Sequence, residues 1–107
     1  MSDSAALIRS LELIREAATQ VLGANGSAES QENFCTLMHR HLPALAEGQK
    51  PDGRDAQRRK LAAGIDAALR TLATARSKTD GDRARLAMSY ARSLRLEIGK
   101  LVPALQS

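Results

Sequence analysis

The sequence predicts an all-α protein, an antiparallel four-helix bundle built from two helical hairpins, and three observations carry that prediction. Nineteen alanines and fifteen leucines stand beside one Phe, one Tyr and no Trp. Ala, Leu, Arg and Glu favour helices, while the β-branched and aromatic residues that favour strands are scarce. Apolar residues recur at alternating spacings of three and four along four separate stretches, the mark of helices with one buried face. The breaks between those stretches are short, and short links make neighbouring helices antiparallel. With so few aromatics, the core must come from small and aliphatic side chains, which lets helices approach closely. At 107 residues, two independently cored units would each be marginal. The expectation is one helical domain over residues 1–107.

The first helix is expected over Ser4–Leu22, on a seam of Leu7, Leu11, Ile14, Ala18 and Val21. Ser2, Asp3 and Ser4 are candidate caps at its start, and Gly23 is placed to end it. GANGSAES reads as a loop. Ser30 is expected to open the second helix, with Glu29 and Glu32 near its positive end. Its seam is Phe34, Met38, His41 and Leu45, supported by Leu37 and Leu42. Pro43 removes a backbone donor and crowds the carbonyl four residues back, so a kink or break is expected near His39–Leu42.

EGQKPDG is the strongest break in the chain, with Pro51-Asp52-Gly53 as a turn. The third helix is expected from Asp55 to Arg76 on Leu61, Ile65, Ala68, Leu72 and Ala75. Gly64 within it is a point of close helix packing. SKTDGD is the next turn, and Thr79 or Asp80 is the expected cap of the fourth helix. That helix carries Ala84, Ala87, Ala91, Leu94, Ile98 and Leu101, and Pro103 is expected to stop it. The hairpins therefore span about 4–46 and 55–102.

Some apolar residues miss these seams. Leu13 lies away from the first stripe, Leu96 falls nearly opposite the fourth, and Leu86 and Met88 are off-centre. One reading is ordinary exposure of scattered apolar side chains. The other buries the fourth helix on two sides through homodimerisation, which adds interface to a small core.

Charge is unevenly divided along the chain. Residues 1–47 carry a net −3 and residues 48–107 a net +7, giving +4 overall. Arg54, Arg58, Arg59 and Lys60 crowd the start of the third helix, while Arg83 and Arg85 begin the fourth. In an antiparallel hairpin Arg76 and Lys78 would share a tip with Arg83 and Arg85. Cations at a helix N-terminus oppose the macrodipole at about 0.3–1 kcal/mol each. Free backbone N–H groups and cations together suit an anion instead. These eight residues, in two clusters, are therefore the anion-binding candidates. Asp52, Asp55, Asp80 and Asp82 partly neutralise them, so a solvated and locally paired basic surface is the competing reading. Twelve arginines against four lysines, with abundant alanine, also fit high-GC bacterial codon usage, which weakens any functional reading of arginine number.

Signals for chemistry are thin. Cys35 and His39 lie four apart on one helix face, so a thiol–imidazole pair or two metal ligands are conceivable. His41 points roughly 200° away from His39 on a regular helix. No third orienting group is evident, and Cys35 beside Phe34 and Leu37 reads as a small buried apolar residue. No Gly-rich phosphate loop, HExxH or GxSxG occurs. No catalytic residue, metal site or cofactor is therefore expected. A single cysteine excludes an internal disulfide and fits a reducing, cytoplasmic setting. No apolar stretch is long enough to cross a bilayer, and the first residues lack the pattern of a signal peptide. No membrane partner is expected.

The function these observations favour is a non-enzymatic protein-interaction module: an adaptor, a chaperone-like subunit or a small regulator that self-associates. Its expected contacts are Leu86, Met88, Arg92, Arg95 and Leu96, facing a second copy or another protein. The alternative is phosphate-dominated binding of nucleic acid or a nucleotide-like anion by the basic hairpin. No recognition helix, zinc-finger spacing or aromatic stacking set supports sequence-specific reading.

Overall fold

The computed structural model describes residues 2–46, 53–75 and 80–106. They form four helices: α1 (Ser2–Gly23), α2 (Ala28–Ala46), α3 (Gly53–Thr74) and α4 (Asp80–Gln106). Each packs on its neighbours in a ring, α1 on α2, α2 on α3, α3 on α4 and α4 back on α1, with the most extensive pairing between α1 and α4. The fold is an antiparallel four-helix bundle, 43 Å along its longest axis. The 27 residues of α4, at 1.5 Å each, span about 40 Å, so this helix runs nearly the whole length.

The seams read from the sequence form the core. Leu11, Ile14, Ala18 and Val21 of α1 are fully buried, as are Phe34, Met38 and Leu45 of α2. Ile65, Ala68 and Leu72 of α3 meet Ala87, Ala91, Leu94 and Ile98 of α4 in the same cluster. One aromatic side chain enters this core. Phe34 is buried, while Tyr90 is half-buried and shares a hydrogen bond with Thr71 at 3.0 Å across the α3–α4 pair. Gly64 lies close to α4, where an added Cβ would sit 3.3 Å from Leu94 Cδ2.

α1 ends on Gly23, the glycine expected to close it, and a Schellman motif over the next three residues caps it. Gly26 N–H donates to Val21 O at 2.8 Å, and Asn25 N–H donates to Leu22 O at 3.3 Å. Asn25 takes the left-handed conformation at φ 53°, and Gly26 follows at φ 71°. Asn tolerates that region almost as glycine does. The cap of α2 is Ser27 rather than Ser30. Its Oγ accepts from Ser30 N–H at 3.3 Å, while Ser30 Oγ donates back to Ser27 O at 2.8 Å.

Both prolines lie inside their helices rather than breaking or ending them. Pro43 sits in the last turn of α2, where Leu45 is still held in the core. Pro103 costs α4 one backbone bond, but buried Leu101 and Val102, with half-buried Leu105, anchor the final turns. Tertiary packing outweighs the local penalty. The Pro51-Asp52 part of the expected turn and the proposed cap Thr79 lie outside the described residues. Asp80 is the first described residue of α4.

Candidate functional site

The topology places the two basic clusters at opposite ends of the bundle, as an antiparallel hairpin requires. Because α3 and α4 are antiparallel, Arg58, Arg59 and Lys60 lie at one end of the bundle, and Arg83 and Arg85 at the other. Arg76 and Lys78 fall outside the described residues, as does the side chain of Arg54. Two of the remaining arginines also serve the fold. Arg58 Nη2 donates to Ala44 O at 3.0 Å, tying the start of α3 to the end of α2. Arg83 Nε donates to Leu72 O at 3.4 Å, and its Nη1 donates to Gln31 Oε1.

Gln31 is the residue that the sequence reading passed over. It is almost fully buried, and its Nε2 donates to Gly26 O, so one side chain joins the α1–α2 loop to Arg83 of α4. The signal was present: Gln31 extends the seam of Phe34, Met38, His41 and Leu45 one turn backwards, which places a polar residue on a core-facing position.

Glu32, Cys35 and His39 line a groove of about 590 Å³ between α2 and α3, with Thr36, Leu69, Ala73 and Arg83. Cys35 is half-buried and packs on the core. Since α2 runs on through Pro43, His41 stays on the seam while His39 faces the groove. His41 Nε2 is buried without a hydrogen-bond partner among the described residues. No group of three His, Cys, Asp or Glu side chains able to hold a metal ion occurs among them either.

A second groove runs between α1 and α4. Arg15 and Leu22 line it from α1, and Arg92, Arg95, Leu96, Gly99 and Lys100 from α4, enclosing about 500 Å³. Leu96 is 62% exposed, against 38% for Leu13, the other large exposed apolar side chain among the described residues. Leu86 and Met88 pack against the core as half-buried side chains. Leu96 is therefore the expected contact that stands out from the surface, with Arg92 and Arg95 exposed beside it. The lining contains four cations and no carboxylate. Among the described residues Arg15, Arg92 and Arg95 make no ion pair, and Lys100 lies 3.9 Å from Glu97 at an exposed position. Such a pair is worth little in water.

Comparison with protein-family models, with curated proteins and with solved structures found no match in any of the three. The functional reading therefore stands on the geometry of the chain itself. No helix of the described residues is long and apolar enough to cross a membrane.

Proposed function

We propose that this chain is a non-enzymatic helical protein-interaction module whose working surface is the outer face of α4. The observation that carries this reading is Leu96, 62% exposed on an otherwise well-sorted bundle and set among Arg92, Arg95 and Lys100 beside an open groove. A fully buried leucine gains roughly 1.5–3 kcal/mol over an exposed one. Covering Leu96 is therefore a ready source of binding energy, and the surrounding charges supply orientation.

Self-association is the narrower form of the same reading. A symmetric pair centred on Leu96 would bring the two sets of arginines together, so any homodimer should form more readily as salt screens that repulsion. The phosphate-binding alternative has less support. Its candidate residues are divided between the two ends of the bundle, and Arg58 and Arg83 already donate to groups of the fold.

The test is selection from a displayed peptide library on the wild-type chain, followed by counter-selection on Leu96→Asp. The reading expects peptides that bind wild type and fail on the variant. A selection yielding no binder, or only binders indifferent to Leu96, would contradict it.

A further inference from the structure

We infer that the α1–α4 groove receives an acidic amphipathic helix from a partner protein, an inference that rests on the interaction-module reading above. Its first support is charge. Arg15, Arg92, Arg95 and Lys100 surround Leu22 and Leu96, and no carboxylate lines the groove. Arg92 and Lys100 are eight residues apart on α4, or about 12 Å. A helix with carboxylates seven or eight residues apart matches that span, with an apolar stripe set between them to cover Leu96.

The second support is Gly99. Glycine is a poor helix former in a helix interior, and Gly99 lies well inside α4. A Cβ built there meets nothing within 4 Å, as at Gly23 and Gly81 in the end turns of their helices, whereas Gly26 and Gly64 have close neighbours; Gly99 is the open glycine that lies in a helix interior among the described residues. The packing of the chain does not require a glycine at this point. A bare backbone on the groove floor instead lets an apolar side chain from outside approach α4 closely.

The shape of the site selects a helix. The floor is made of side chains from two helices whose interior backbone groups are already paired. An extended segment would hold unpaired N–H and C=O groups over apolar side chains, whereas a helix satisfies its own. A flat lipid surface would contact the exposed rim around Leu96 without reaching Gly99.

The experiment titrates the full chain with a fluorescent, helix-favouring peptide that has leucines on one stripe and glutamates on both flanks. Its controls are the same peptide with lysine for glutamate and a scrambled peptide of identical composition. Anisotropy should show binding to wild type that weakens as salt rises, with both controls at least about tenfold weaker. Gly99→Leu, which fills the groove, should lower affinity by about tenfold or more while circular dichroism shows an intact helical fold. Gly99→Ala should keep the fold and lower affinity by a smaller factor than Gly99→Leu, since its single Cβ lifts the incoming side chain less.

The inference is overturned if the acidic peptide binds no better than its controls, or if Gly99→Leu binds as well as wild type. Leu96-dependent binding to vesicles of phosphatidylcholine and phosphatidylglycerol, with no peptide binding, would assign the face to a membrane surface and also overturn it. If the library instead yields Leu96-dependent peptides that are neutral or basic, the interaction module stands and this inference alone falls.

Discussion

Arg83 of α4 donates to the side-chain oxygen of Gln31 on α2, joining two helices that face each other across the diagonal of the bundle. The same guanidinium reaches Leu72 O on α3, and the same amide donates to Gly26 O in the α1–α2 loop. All four helices are thus tied together at one end through a single pair of side chains. A polar pair of this kind, with Gln31 buried and Arg83 half-buried, rigidifies a fold when each member is satisfied, and it is costly once one is removed.

Arg83→Ala and Gln31→Ala should each destabilise the chain by about 1–3 kcal/mol, because the first leaves the buried Gln31 Oε1 without its donor and the second removes an acceptor of Arg83 together with the bond to Gly26 O. The double variant should cost clearly less than the two single costs added together. Arg83→Lys should recover little, since one ammonium cannot reproduce the geometry of a guanidinium holding two acceptors. Arg85→Ala, on an exposed neighbour, should stay within about 0.5 kcal/mol of wild type. Urea denaturation of the set checks this. Strict additivity would contradict the pairing.

Gly26 and Gly23 should respond to alanine in opposite directions. At Gly26 the backbone is left-handed, and a Cβ would lie 2.8 Å from Ala84 O and 2.9 Å from Ala84 Cβ. Strain and overlap together should cost about 1–3 kcal/mol. At Gly23 a Cβ meets nothing, and alanine in the last helical turn should add up to about 1 kcal/mol of stability. Thermal unfolding of the two variants should shift the melting temperature down and up respectively.

The pattern of success in reading the sequence follows from these same residues. The seams were legible because burial imposes a regular period, and Leu11, Phe34, Ile65 and Ile98 each obey it. The exposure of Leu96 was legible for the same reason, as a departure from the period. The end of α1 at Gly23 was legible too, but the caps beyond it were not, because Asn25 and Ser27 act through backbone geometry that several nearby Gly, Asn and Ser residues could equally have supplied. Pro43 and Pro103 misled because tertiary anchoring by Leu45, Leu101 and Val102 is not a local property. The α1–α4 groove was half legible: Arg92, Arg95 and Leu96 share one helix, whereas Arg15 and Leu22 join them only once α1 packs against α4.

Leu96→Ala should leave the melting temperature of the isolated chain nearly unchanged, since an exposed leucine contributes little to folding. Phe34→Ala should cost about 3–5 kcal/mol and, in a bundle this small, threaten folding altogether. Sedimentation velocity over a dilution series adds the functional half of this contrast. Any oligomer formed by wild type should be weaker in Leu96→Ala, and it should strengthen with salt if two basic faces meet. An oligomer indifferent to Leu96 would place self-association elsewhere on the bundle.

Gly64→Ala sets helix propensity against one contact. Alanine is favoured by up to about 1 kcal/mol, and the opposing atom is Leu94 Cδ2, the end of a side chain with room to shift by a few tenths of an ångström. The expected result is a small gain in stability by chemical denaturation. A loss would show that α3 and α4 are too tightly locked at Leu94 to yield.

The working surface itself is tested most directly by amide chemical-shift mapping of isotope-labelled chain during titration with the acidic amphipathic peptide. The account predicts that the largest shifts fall on Arg15, Leu22 and the stretch from Arg92 to Lys100, and that the α2–α3 groove around Cys35 and His39 stays quiet. Shifts centred on Cys35 and His39, or spread over the two basic ends without Leu96 and Gly99, would contradict it.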